Sequence, residues 1–171
     1  MDFFQVIKKR RSVRKFLKVD IPKEHLLKIL EAGRLAPSGR NIQPWEFIVI
    51  DDEKIIQQLA EIQPCLGEVK LLIGVIVDPG MSKYWLEDGS AVIENMLLAI
   101  TALGYASCWI EGTLLKKEEW AKSLLKIPKE KKFLALLPVG KKSEEVSKPY
   151  KKPLSNLTWH NSYGNPYPFS T

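Results

Sequence analysis

A chain of 171 residues that is 45% hydrophobic and 27% charged has the apolar content to bury a core, and too much of it for a disordered polymer. Its net charge of +6 invites a nucleic-acid reading, but the basic residues are scattered and mixed with acids, as in Lys116-Lys117-Glu118-Glu119. No zinc-finger or aromatic RNA-binding pattern accompanies them, so solubility plus one site for an anionic small molecule accounts for the charge.

The apolar spacing of Phe3, Phe4, Val6 and Ile7 is too short for a signal peptide and runs at once into charge. Leu26, Leu27, Leu30 and Ala32, preceded by Pro22 and Glu24, predict a helix from about Lys23 to Leu35. Phe47-Ile48-Val49-Ile50 reads as a strand, and Asp51-Asp52 opens a helix carrying Ile55, Ile56, Leu59 and Ala60 that stops near Pro64. The apolar run from Val69 to Val77, broken by Lys70, predicts a strand buried on both faces.

From about Glu87 to Leu103, Val92, Ile93, Met96, Leu97, Ile100 and Leu103 predict a helix buried nearly all round, with Gly104 as its C-terminal cap. Glu94 and Asn95 interrupt it, which argues against a membrane span. Ser107 to Ile110 reads as a strand, Lys116 to Leu125 as a helix, and Phe133 to Val139 as a last strand ended by Gly140. Helices alternating with buried strands imply an α/β or α+β sandwich, taken as one domain over residues 1–171 with a cytoplasmic location.

Cys65 and Cys108 match no metal or redox spacing; buried reduced thiols are expected, a structural disulfide being the alternative. No Cys/His cluster supports a metal. After Lys141 the chain turns proline-rich and aromatic, with Tyr150, Trp159, Tyr163, Tyr167 and Phe169. So many rings with so few aliphatic neighbours imply a tail that packs on another surface, either a second subunit or its own.

Two motifs carry chemistry. Arg10-Arg11-Ser12-Val13-Arg14 sets three guanidiniums and a hydroxyl within five residues. The planar fork of arginine binds phosphate oxygens bidentately, so the segment suits a phosphorylated ligand, with a solvated basic patch as the plain alternative. Ala36-Pro37-Ser38-Gly39-Arg40-Asn41-Ile42-Gln43-Pro44-Trp45 is a rigid polar loop between helix and strand, built for recognition or serving only as a connector.

In this order and at this separation the two segments resemble the FMN-dependent nitroreductase family, whose members carry Arg-x-Ser-x-Arg/Lys followed, after the next helix, by Pro-Ser-x-x-Asn-x-Gln-Pro-Trp. The resemblance continues through Glu94-Asn95-Met96-Leu97-Leu98-Ala99, Ala102-Leu103-Gly104-Tyr105, Trp109-Ile110-Glu111-Gly112 and Lys151-Lys152-Pro153-Leu154, and so covers nearly the whole chain. It implies an α+β fold: a three-layer α/β/α sandwich around a mixed, mainly antiparallel sheet. It also implies a homodimer in which the C-terminal tail, about residues 149–171, extends over the partner subunit.

The same resemblance implies an FMN site. It places Arg10 and Ser12 on the phosphate with Arg11 nearby, Arg14 at the pyrimidine edge, and Lys151, or its neighbour Lys152, as a late phosphate cation. Pro37, Ser38 and Asn41 reach the flavin from the loop, across the dimer interface. Ile110, Glu111 and Gly112 lie along the ring, where the glycine permits close backbone approach. NADH or NADPH is the implied donor, and nitroaromatics, quinones or similar small molecules are the acceptors. Reductive dehalogenation and flavin destruction are the other chemistries of the family, although the Glu-Tyr-Lys substrate lid of the dehalogenases is not found between Glu61 and Lys83. A basic binding module without turnover is the alternative from another class. His25 reads as a surface residue, and His160 as a border of a substrate pocket or a local hydrogen-bonding group.

Overall fold

The computed structural model describes residues 1–169. Its centre is an antiparallel sheet in the order β2 (Trp45–Ile50), β3 (Leu71–Val77), β4 (Lys132–Val139). All seven residues of β3 are buried, and the pleat divides them. Leu71, Ile73, Val75 and Val77 enter one core while Leu72 and Ile76 enter the other. A strand covered on both sides has no reason to alternate polar with apolar residues, which explains the unbroken apolar run.

Ile29 of α2 (Lys23–Arg34) and Val92, Ile93, Met96 and Ile100 of α4 (Trp85–Ala102) fill the first core. Ile56 and Leu59 of α3 (Glu53–Leu59), Leu114 of α5 (Gly112–Leu115) and Ala121 of α6 (Glu118–Leu125) fill the second. The result is the expected helix, sheet, helix sandwich. A two-stranded antiparallel ribbon of β1 (Phe16–Leu17) and β5 (Lys141–Lys142) flanks it. One parallel bridge, Ser12 to Ser107, makes the strand pairing mixed.

Local chemistry sets the boundaries. Asp2 caps α1 (Phe3–Lys9) by accepting from the Gln5 N–H at 3.0 Å, and Asp52 caps α3 by accepting from Ile55 at 3.0 Å. At the end of α4, Tyr105 N–H donates to the Ile100 carbonyl and Gly104 N–H to Thr101, both at 3.0 Å, with Gly104 at φ 79°. This paired closure needs the left-handed conformation that glycine adopts freely. Gly89 serves a different need: a Cβ there would lie 2.4 Å from Leu134 Cδ2, so α4 sits against the sheet at a distance only glycine permits. Leu134 itself falls where the β3–β4 register shifts.

Three expectations are corrected. Residues 107–110 do not form a continuous strand. Ala106 pairs with Gly140 and Ile110 with Leu136, but between them the Ser107 carbonyl turns away to accept from the Val13 N–H at 2.9 Å. A backbone shared between two neighbours keeps regular pairing with neither. The helix expected from Lys116 begins at Glu118 as α6, with the separate short α5 ahead of it, and the buried strand starts at Leu71 rather than Val69 because residues 64–68 form a 3-10 turn. Among the described residues no helix is long and apolar enough to cross a membrane.

Candidate functional site

Arg10 closes α1 and turns the chain into an extended segment that the bond from Val13 to Ser107 fixes against the body. The guanidinium of Arg10 is half-buried, and its Nε lies 3.2 Å from Oε1 of Glu94 on α4. Glu94 thus engages one donor edge and leaves the two terminal nitrogens for another acceptor. Ser12 and Arg14 lie near enough to Cys108, and Arg14 to Cys65, to favour the thiolates. Arg11 departs from this group: its Nη1 donates to the carbonyls of Lys8 at 2.8 Å and Arg10 at 2.7 Å, and it lines a separate cleft with Val13.

Both cysteines are free and buried, in agreement with the reduced-thiol reading. Burial, then the Cys108 thiol and Glu68, pushes Cys65 up to about 11, and burial also raises Cys108 against the pull of Arg14 and Ser12. The folded protein therefore favours the protonated Cys65 thiol. That contribution to stability is complete below the ordinary thiol value of 9.0 and is lost as pH rises toward 11. Denaturant titrations should show stability falling between those pH values, and iodoacetamide should label Cys65 at pH 8 only after unfolding. Equal labelling rates in native and unfolded protein would contradict the burial argument.

Two buried polar atoms, Ser107 Oγ and Trp109 Nε1, have no hydrogen-bond partner among the described residues. Such groups cost free energy unless something satisfies them, and both flank the segment leading to Gly112. The sequence reading missed Ser107 as a site residue; its signal was a hydroxyl alternating with apolar positions in a buried run. Ile110 is core: its side chain is buried and its N–H and carbonyl both pair with Leu136. That leaves the backbone of Glu111 and Gly112 as the part of this stretch with room for a ligand. A Cβ at Gly112 would meet nothing within 4 Å.

The Pro37–Asn41 loop is strained and held. Arg40, Asn41 and Gln43 stand at φ 54°, 57° and 55°, a left-handed conformation that side chains other than glycine adopt at a cost. The Ser38 hydroxyl accepts from the Gln43 N–H at 3.0 Å. The buried carboxylate of Asp88 accepts from the Gly39 N–H and from Ser82 Oγ, both at 2.9 Å. Asp88→Ala should orphan both donors, cost about 1–3 kcal/mol and speed amide hydrogen exchange at Gly39; unchanged exchange would show that the loop holds itself.

Asp88 and Glu94 lie about 9 Å apart along α4 and about 120° apart around it by helical geometry. Helix α4 therefore holds the loop and the Arg10 segment on different faces. Lys151 and Lys152 are exposed and form no ion pair among the described residues. Beyond them the tail closes on itself: His160 N–H donates to Asn165 O at 2.7 Å, the Trp159 and Tyr163 rings meet at a tilt with centroids 5.2 Å apart, and His160 meets Tyr167 edge-to-face at 5.6 Å. Its last two residues, 170 and 171, lie outside the described ones. His25, expected at the surface, is half-buried there, with its Nδ1 2.8 Å from the Tyr105 hydroxyl.

A model described as the nitroreductase family matches residues 7–70 and 75–141. The chain belongs to the nitroreductase family. A protein of Archaeoglobus fulgidus, provisionally named NADH dehydrogenase/NAD(P)H nitroreductase, is 35% identical over 150 residues, covering 82% of this chain and 86% of its own. The solved structure of an FMN-dependent nitroreductase from Clostridium difficile R20291 superposes with a TM-score of 0.84 at 30% identity, over 94% of this chain and 99% of that one. An iodotyrosine deiodinase of Thermotoga neapolitana is 41% identical over 85 residues, half of this chain and 44% of its own length. This family member accordingly has the α+β nitroreductase fold and is an oxidoreductase.

Proposed function

We propose that the protein is an FMN-dependent oxidoreductase that draws electrons from NADH or NADPH and reduces nitroaromatics, quinones or similar small acceptors as a cytoplasmic homodimer. The observation that carries the reading is the Arg10–Arg14 segment braced against Ser107. Beside Ser107, whose buried hydroxyl is unpartnered among the described residues, it sets an arginine oriented by Glu94, a hydroxyl and a second guanidinium. These groups fit a ligand with a phosphate at one end and a polar-edged ring at the other.

In this reading Arg10 and Ser12 hold the phosphate and Lys151 closes on it. Arg14 faces the pyrimidine edge, and the backbone of Glu111 and Gly112 faces the ring. FMN supplies a ring that takes up a hydride and gives up two electrons. Pro37, Ser38 and Asn41 act on the flavin of the other subunit, for which their separation from Arg10 around α4 is the support. Arg11 has a softer claim, because its guanidinium is tied back to Lys8 and Arg10. Glu111 acts through its backbone rather than as an acid. Nucleic acid has no part in this function.

The deciding experiment is anaerobic stopped-flow reduction of the yellow protein by each nucleotide, followed by an acceptor panel. Colourless protein that refuses added FMN would overturn the reading in favour of a binding module. The deiodinase likeness favours reductive dehalogenation as a second reading, which turnover of an iodinated phenol would establish.

Arg14 tunes the cofactor. A cation by the pyrimidine edge favours the anionic reduced ring over the neutral oxidised one. Arg14→Gln should therefore lower the two-electron potential by ~30 mV, equivalent to about 1.4 kcal/mol, in protein still saturated with FMN. Redox titration against a reference dye measures it, and a potential equal to the parent's would move Arg14 away from the ring.

A further inference from the structure

Between the end of α1, the turn that closes α4 and the stretch from β5 onward lies a cleft of about 610 Å3 with basic walls. Lys8, Lys9 and Arg11 come from the α1 end; Lys141, Lys142 and Lys148 come from β5 and beyond. The single acidic residue lining it, Glu145, is paired with Lys142. Lys8, Lys9 and Lys148 form no ion pair among the described residues.

Two of the cations are held in place rather than left to sweep through solvent. Arg11 is fixed by its two carbonyl bonds, and Lys141 donates to the Gly104 carbonyl at 2.5 Å with its ammonium 4.6 Å from the Tyr105 ring centroid. Tyr105 is fixed in turn by His25 at 2.8 Å. Like charges gathered around a concave site repel one another, and an anion relieves that repulsion. The floor also offers a half-buried aromatic ring with apolar Val13, Ala106 and Val146.

We infer that this cleft binds a nucleoside diphosphate, its phosphates on the lysines and Arg11 and its base against Tyr105. Of the residues proposed to hold the flavin only Arg11, whose guanidinium is tied back to Lys8 and Arg10, lines the cleft; Arg10, Ser12, Arg14 and Lys151 do not. The same chemistry has two sources: the ADP half of a nicotinamide dinucleotide, or a separate nucleotide.

The test is calorimetric titration of the purified full chain with ADP. Saturable binding is expected, weakened at least tenfold in a Lys8→Gln/Lys148→Gln double variant and tightened several-fold by Glu145→Gln, with bound flavin retained throughout. Competition between ADP and NADH in turnover assigns the site to the dinucleotide, and binding without competition assigns it to a separate nucleotide. The inference is overturned by lack of saturation at millimolar ADP, by affinities unmoved in these variants, or by flavin release on adding ADP. Release would mark the cleft as part of the flavin site.

Discussion

Arg10→Ala should weaken FMN binding by about 1.5–3 kcal/mol, the range for hydrogen bonds to charged groups. The loss has two parts. The phosphate forfeits a bidentate donor, and Glu94 is left as an unpaired carboxylate beside it, since the 3.2 Å pair is broken. Glu94→Gln separates the two, because it removes the negative charge while keeping an acceptor for Nε. If Arg10 binds phosphate, the double variant should recover part of what Arg10→Ala loses. Apoprotein titrated with FMN gives all three affinities, and an unchanged value for Arg10→Ala would remove this residue from the phosphate site.

Truncation before Ser155 should abolish the proposed dimer and, with it, flavin retention. The tail carries Tyr150 at 83% and Tyr163 at 91% exposure, with Leu154, Leu157, Trp159, Tyr167 and Phe169 also exposed. In one copy of the chain these groups have little to cover them, although the stretch around Trp159 and Tyr167 is already folded. A preorganised apolar element of this kind binds without first paying the entropy of ordering. At the other end of the chain Phe3, Phe4 and Ile7 of α1 are also exposed, apolar surface that the proposed dimer would cover. Analytical ultracentrifugation of the full chain should give a dimer, and the truncated chain a monomer or aggregate without bound flavin. A full-length monomer saturated with FMN would contradict the assembly.

The candidate site was legible in sequence where chemistry is local. Two short motifs name the side chains proposed to bind phosphate and the loop, since a guanidinium or a proline-bounded turn carries its meaning in its own residues. Groups whose role depends on a remote partner were not legible that way. Glu94 reads as an interruption in a buried helix until Arg10 is seen beside it. Asp88 reads as an ordinary first-turn acid until it is found holding Gly39, 49 positions away. Arg11 stands beside Arg10 in sequence, yet it lines another cleft because its guanidinium folds back onto the carbonyls of α1.

By itself the sequence determined helices α2, α3 and α4 and the doubly buried strand to within a few residues, and the closure at Gly104. Each of these follows from periodicity, burial or a single residue's conformational range, which are short-range properties. Tertiary structure alone decided that residues 107–110 divide their backbone bonds between β4 and the N-terminal segment, because pairing between distant segments leaves no periodic mark on either. It also decided that the loop and the Arg10 segment are held on different faces of α4. That separation is set by where two side chains meet one helix, and a linear pattern records the helix but not what is tied to its sides.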